Sequence, residues 1–133
     1  MIESAIYLDS SALIKLVFEE DETAALRTFL AHHPRRASSV LAGVEVLRTV
    51  GRVEDPGVTQ DARSLLERLH LIRPDDGMLA AAAEIGPPTL RTNDAIHLVT
   101  ALSLRPNLTG VVVYDRAFAD AARAAGLTVW APS

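Results

Sequence analysis

Two apolar runs in this chain each end on an aspartate, and each aspartate is followed at once by a helix-like stretch. Ala5-Ile6-Tyr7-Leu8 closes on Asp9, and Val111-Val112-Val113-Tyr114 closes on Asp115. Short apolar runs beside helical spacing predict buried strands that feed helices. Such units build parallel sheets, because a strand that passes into a helix re-enters the sheet beside a parallel neighbour. In sheets of that kind, sites collect at the carboxyl ends of the strands. The two aspartates stand at such ends.

The rest of the chain keeps the alternation. Strand Ala5–Asp9 is followed by a helix over Ser10–Phe18, then a helix to about His32 that Asp21 or Thr23 would cap, ended by Pro34. Arg36–Ser39 reads as a short strand, with Ser39 as N-cap of a helix from Val40 to about Val53. After Pro56-Gly57 a helix runs to about Leu69, and His70–Arg73 reads as a strand stopped by Pro74. Asp75 or Asp76 would cap a helix over Met78–Ile85, and Thr92 or Asn93 one running to about Leu104. Val111–Tyr114 is a strand, Arg116–Ala125 a helix with Gly126 as C-cap, and Leu127–Trp130 a last strand. The fold class read from this order is α/β: a mainly parallel sheet with helices on both faces, in one domain over residues 1–133. The chain has 133 residues, enough for one full apolar core.

Two further acids invite attention. Glu45 sits at the edge of the stripe Val40, Val44, Leu47 and Val50, sharing a face with Arg48 and Arg52. A surface ion pair with those arginines is its plain reading. Asp94 lies in the first turn of its helix, where the macrodipole favours negative charge, and His97 lies on the same side. Asp9 could cap its helix, attack a phosphate or ligate a metal. Ser11 is placed to hydrogen-bond and orient it. Carboxylates drawn into one place repel one another, and a hard divalent cation relieves that conflict through oxygen ligands. Mg²⁺ or Mn²⁺ is the cation that such a set implies.

Composition narrows the classes. There is no cysteine, which excludes disulfides and thiolate metal sites. Seventeen acidic residues against 13 basic ones give a net charge of −4, and setting the four acids above aside leaves 13 against 13. No glycine-rich dinucleotide fingerprint, P-loop or nucleophile elbow is present. The N-terminus shows no signal-peptide pattern and no run is long enough to span a bilayer, so the expected setting is cytoplasmic, away from membranes.

Four segments resemble a known family. Tyr7-Leu8-Asp9-Ser10-Ser11-Ala12-Leu13-Ile14-Lys15-Leu16 resembles the opening motif of PIN-domain ribonucleases, closest to the VapC-type toxins of bacterial toxin–antitoxin pairs. Ser39 followed by Glu45-Val46-Leu47-Arg48 is similar to the second motif. Asn93-Asp94-Ala95-Ile96-His97-Leu98-Val99-Thr100-Ala101 matches the third, the most specific of them. Tyr114-Asp115-Arg116-Ala117-Phe118, with Ala121, Ala122 and Gly126-Leu127, matches the last. The resemblance implies a three-layer α/β/α sandwich and a Mg²⁺- or Mn²⁺-dependent endoribonuclease that inhibits translation by cleaving RNA. It implies Asp9, Glu45, Asp94 and Asp115 as the acidic site, with Asp9, Asp94 and Asp115 on the metal. Ser11 and Asn93 would orient these acids, and Arg48, Arg52 and Arg116 would hold RNA phosphates. A homodimer and a cognate antitoxin are implied as well. One position departs from the family: Val113 stands where Ser or Thr is common. A non-catalytic interaction module of the same fold and a phosphate-transfer domain using Asp9 are the alternatives.

Overall fold

The structure, a computed structural model, describes residues 4–133. Five strands and seven helices alternate: β1 Ala5–Leu8, α1 Ser10–Val17, α2 Thr23–Ala31, β2 Arg36–Ser39, α3 Val40–Gly51 and α4 Pro56–Glu67. They are followed by β3 His70–Ile72, α5 Asp76–Glu84, α6 Thr92–Leu102, β4 Leu108–Val112, α7 Arg116–Ala124 and β5 Val129–Trp130. Every strand pair is parallel, and the sheet order is β3-β2-β1-β4-β5. The α/β sandwich expected from the alternation is therefore present.

Period-two alternation sends β1 side chains to both faces. Ile6 and Leu8 join a core with α1, α2, α3 and α4 through Leu13, Leu26, Leu30, Val46, Val50 and Leu66. Tyr7 points the other way, into a core with α6 and α7 built on Leu98, Phe118 and Val111. Both faces of the central strands are covered, which is why those strands read as continuous apolar runs.

Local chemistry sets several boundaries. Asp9, Ser39, Asp75 and Asp115 each cap the following helix with a side-chain oxygen on a backbone N–H. At the end of α7, Gly126 adopts φ 88°, its N–H bonds the Arg123 carbonyl, and Leu127 N–H bonds the Ala122 carbonyl. That pair of bonds is a Schellman ending, which glycine permits without strain.

Four expectations need correction. The strand before Asp115 is Leu108–Val112, not Val111–Tyr114, since its ladder with β1 starts at the Ala5–Leu108 pair. Polar Thr109 and Gly110 hid its beginning, and Gly110 is there because a Cβ would collide with the Trp130 ring. Neither Thr92 nor Asn93 caps α6; Arg91 holds the N-cap position without a side-chain bond. Neither Asp21 nor Thr23 caps α2, whose N-cap is Glu22, and the Thr23 hydroxyl bonds the Lys15 carbonyl instead. In α3 the buried residues are Ala42, Gly43, Val46 and Val50, while Val44 is 56% exposed. The buried stripe is thus rotated from the one read off the larger side chains.

Candidate active site

In the strand order the chain turns outward from β1 on one side and from β4 on the other. The crevice between their carboxyl ends is the topological switch point, where parallel sheets place ligands. Asp9 follows β1 directly, and Asp115 follows β4 by three residues as the N-cap of α7. The start of α6 brings Asp94, and α3 brings Glu45. All four line one cleft of about 430 Å³, together with Ser10, Ser11, Arg91, Thr92 and Asn93.

Each acid is held differently. Asp9 is only 3% exposed, and its Oδ1 accepts from the Ser11 hydroxyl at 2.6 Å and from the Ala12 N–H at 3.1 Å. Burial pushes its pKa up to about 6 against those two donors, and the charge of Asp94 adds to the rise. Asp115 accepts from the Phe118 N–H at 2.9 Å. Asp94 is buried, and its Oδ2 has no hydrogen-bond partner among the described residues. Burial raises its pKa and the neighbouring charge of Asp115 raises it further.

Glu45 takes no part in a pair with Arg48 or Arg52. Its Oε1 lies 2.8 Å from His97 Nε2, and its Oε2 accepts from the Asn93 amide at 3.3 Å. His97, 1% exposed, lies with its other nitrogen, Nδ1, 2.6 Å from the Tyr7 hydroxyl. Facing a carboxylate, Nε2 carries the proton, so Nδ1 is left to accept from Tyr7. Burial raises the Tyr7 pKa and keeps that hydroxyl protonated as the donor. The chain Tyr7–His97–Glu45 thus aims one carboxylate from the sheet core into the cleft. Tyr7→Phe should destabilise the fold by about 1–2 kcal/mol, because it leaves a buried His97 nitrogen unpaired. Urea denaturation reads this directly, and an unchanged midpoint at unchanged slope would show the hydroxyl to be idle.

The structure brings Ser11 and Asn93 beside the acids, and with them Tyr7 and Arg91, which sequence reasoning did not single out. Arg91 Nε lies 3.6 Å from Asp94 Oδ2 and Arg91 Nη2 lies 3.5 Å from Asp115 Oδ1. An arginine within three residues of a key aspartate was the signal available for it. Arg48, Arg52 and Arg116 are exposed and none of them lines the cleft. Val113 is buried in the core on the α6–α7 side of the sheet.

Among the described residues, no three acidic or histidine side chains converge closely enough to form a ready-made cation cage. The donor chemistry nevertheless fits a hard cation. The cleft presents carboxylate oxygens, one of them buried without a hydrogen-bond partner, and two of the acids have raised proton affinity.

The PIN domain family model matches residues 6–124, and the chain belongs to that family. It is 40% identical over 131 residues to Ribonuclease VapC47 of Mycobacterium tuberculosis (strain CDC 1551 / Oshkosh), covering 96% of each chain. It is 42% identical over 130 residues to Ribonuclease VapC46 of Mycobacterium tuberculosis (strain ATCC 25618 / H37Rv), covering 98% of this chain and 99% of that one. Among solved structures, Mycobacterium tuberculosis VapC20, a sarcin–ricin loop cleaving toxin, superposes with TM-score 0.73 at 14% identity, covering 92% of this chain and 96% of that one. A toxin–antitoxin complex from Klebsiella pneumoniae gives TM-score 0.66 at 23% identity, covering 84% of this chain and 87% of that one.

Proposed function

We propose that this protein is a cytoplasmic, Mg²⁺- or Mn²⁺-dependent endoribonuclease, the toxin of a toxin–antitoxin pair that stops translation by cutting RNA. The observation that carries the reading is the convergence of Asp9, Glu45, Asp94 and Asp115 on one cleft at the switch point of the sheet. The relatives named ribonucleases at about 40% identity over nearly the whole chain support the chemistry. The solved toxin–antitoxin complex of the same fold supports an antitoxin partner.

Asp9, Asp94 and Asp115 would hold the cation. When bound, it would supply Lewis acidity and a lowered pKa for water. Ser11 fixes the Asp9 carboxylate through its hydroxyl, and the capping bond from Phe118 N–H fixes Asp115. Glu45, aimed by His97, takes the proton of the water that attacks phosphorus. The bond from phosphorus to the 3′-oxygen breaks, that oxygen takes a proton from solvent and leaves as a hydroxyl, and the phosphate stays on the 5′ side. Exposed bases in single-stranded or loop RNA are the readable substrate form. A homodimer is part of the proposal. It is supported by α5, an alanine-rich helix with no buried residue and with Leu79 exposed beside an apolar groove.

The purified chain should cut single-stranded RNA in Mn²⁺ and stop when EDTA is added. Its induced expression should arrest growth, and coexpression of its partner should relieve the arrest. RNA left whole in Mn²⁺ at every concentration of protein tested would remove the nuclease reading.

A further inference from the structure

The acidic cleft holds one positive charge of its own. Among the described residues, Arg91 is the only lysine or arginine that lines it. Lys15, the single lysine, is engaged elsewhere, paired to Glu22 at 2.9 Å and Glu20 at 3.3 Å and lying over the Tyr114 ring. The guanidinium of Arg91 spans Asp94 and Asp115, the second of which also accepts from the Phe118 N–H. Its contacts of 3.6 and 3.5 Å are ion pairs outside hydrogen-bond range, so it stands off rather than locks on. The side chain is 76% exposed. The backbone is fixed: Arg91 is the N-cap of α6, its carbonyl bonds the Ala95 N–H, and its side chain makes no capping bond. The guanidinium therefore stands exposed at the cleft mouth on a backbone held by the start of α6.

That placement answers a problem in the chemistry. A phosphodiester approaching four carboxylates is repelled, and a cation among the acids offsets only part of that repulsion. A divalent cation held by Asp94 and Asp115 would compete with a guanidinium held to them by loose ion pairs. The guanidinium would then remain at the rim, where its planar fork matches two phosphate oxygens. We propose that Arg91 is the phosphate-anchoring residue of this cleft, and that before cation loading it serves as the resident counter-ion of Asp94 and Asp115. The inference rests on the ribonuclease reading and names the residue that grips the RNA backbone.

The test uses the full chain with Arg91→Gln and Arg91→Lys, each checked by thermal melting. Calorimetric titration with Mn²⁺ alone reads the counter-ion role. Arg91→Gln should bind Mn²⁺ several-fold more tightly, because the competing charge is gone, and Arg91→Lys should stay near wild type. Steady-state cleavage of a single-stranded RNA oligonucleotide at saturating Mn²⁺ reads the anchoring role. Arg91→Gln should raise KM about tenfold, with kcat reduced less. Its log KM should vary less steeply with log salt, by about 0.7, the loss of one phosphate contact on a single strand. Arg91→Lys, which keeps the charge without the fork, should fall between.

Unchanged Mn²⁺ affinity in Arg91→Gln would overturn the counter-ion role. Unchanged KM and salt slope would overturn the anchoring role. A loss confined to kcat would make Arg91 a transition-state contact and overturn the anchor as stated. These failures differ from failure of the ribonuclease reading, in which the wild-type chain itself neither binds Mn²⁺ nor cuts RNA.

Discussion

Asp94→Asn should lower RNA cleavage by at least about a thousandfold, while the metal-free protein melts no lower than wild type. Asp94 carries the buried oxygen without a hydrogen-bond partner, and it sits between Arg91 and the second strand-following aspartate. Asparagine preserves the size and the place in the first turn of α6. It removes the negative charge that a cation needs. It also relieves the burial and the Asp115 repulsion that raise the Asp94 pKa, so the fold has no cause to weaken. Cleavage of single-stranded RNA in Mn²⁺, growth arrest on induction and a melting curve measured on the same preparation make the comparison. Wild-type cutting by the variant at equal protein level would take Asp94 out of the site.

The second large effect concerns Asp9, pH and metal together. Burial lifts the Asp9 pKa from 3.8 to about 6 in the folded chain. Above pH 6 the carboxylate is ionised in both states, and the native state bears the full cost of burying that charge. The shift corresponds to about 3 kcal/mol. Between pH 6 and 4 the native state binds the proton that the unfolded state does not. Stability of the metal-free chain should therefore rise as pH falls through that window, with Asp94 adding in the same direction. Asp9→Asn, with an amide oxygen still able to cap α1, should melt several degrees higher than wild type at pH 7.5 in EDTA. Saturating Mn²⁺ should reverse the order, because binding to the native state stabilises only the chain that keeps its ligands. Scanning calorimetry at pH 5 and 7.5, with and without Mn²⁺, makes the comparison. A metal-free wild type that loses stability on going from pH 7.5 to 5 would contradict the assignment.

The legible parts of this protein share one property: their physical causes lie within a few residues. Asp9, Ser39, Asp75 and Asp115 cap helices that begin at the next residue. Gly126 ends α7 because only the left-handed region closes that turn without strain. Ser11 could be matched to Asp9 because a side chain two positions away is held near it by the helix start itself. Alternating apolar strands and helices were enough to determine a parallel sheet. Even there, the start of β4 was displaced, since Thr109 and Gly110 break the apolar run although Leu108 already pairs with Ala5.

The sheet order and the contacts that make the site usable were decided by packing. Tyr7 meets His97 across 90 residues, and His97 meets Glu45 across 52. Read locally, Glu45 belonged with Arg48 and Arg52 on its own helix face. In the folded chain, α6 offers Glu45 a buried imidazole instead, a stronger partner than a solvated arginine. For Arg91 the sequence offered only its spacing of three from Asp94; its second carboxylate, Asp115, comes from a distant part of the chain and meets it only in the fold. Sequence determined which groups could carry charge, cap or turn. Tertiary structure decided which of them face one another, because the electrostatics of a cleft depend on distances that no local pattern encodes.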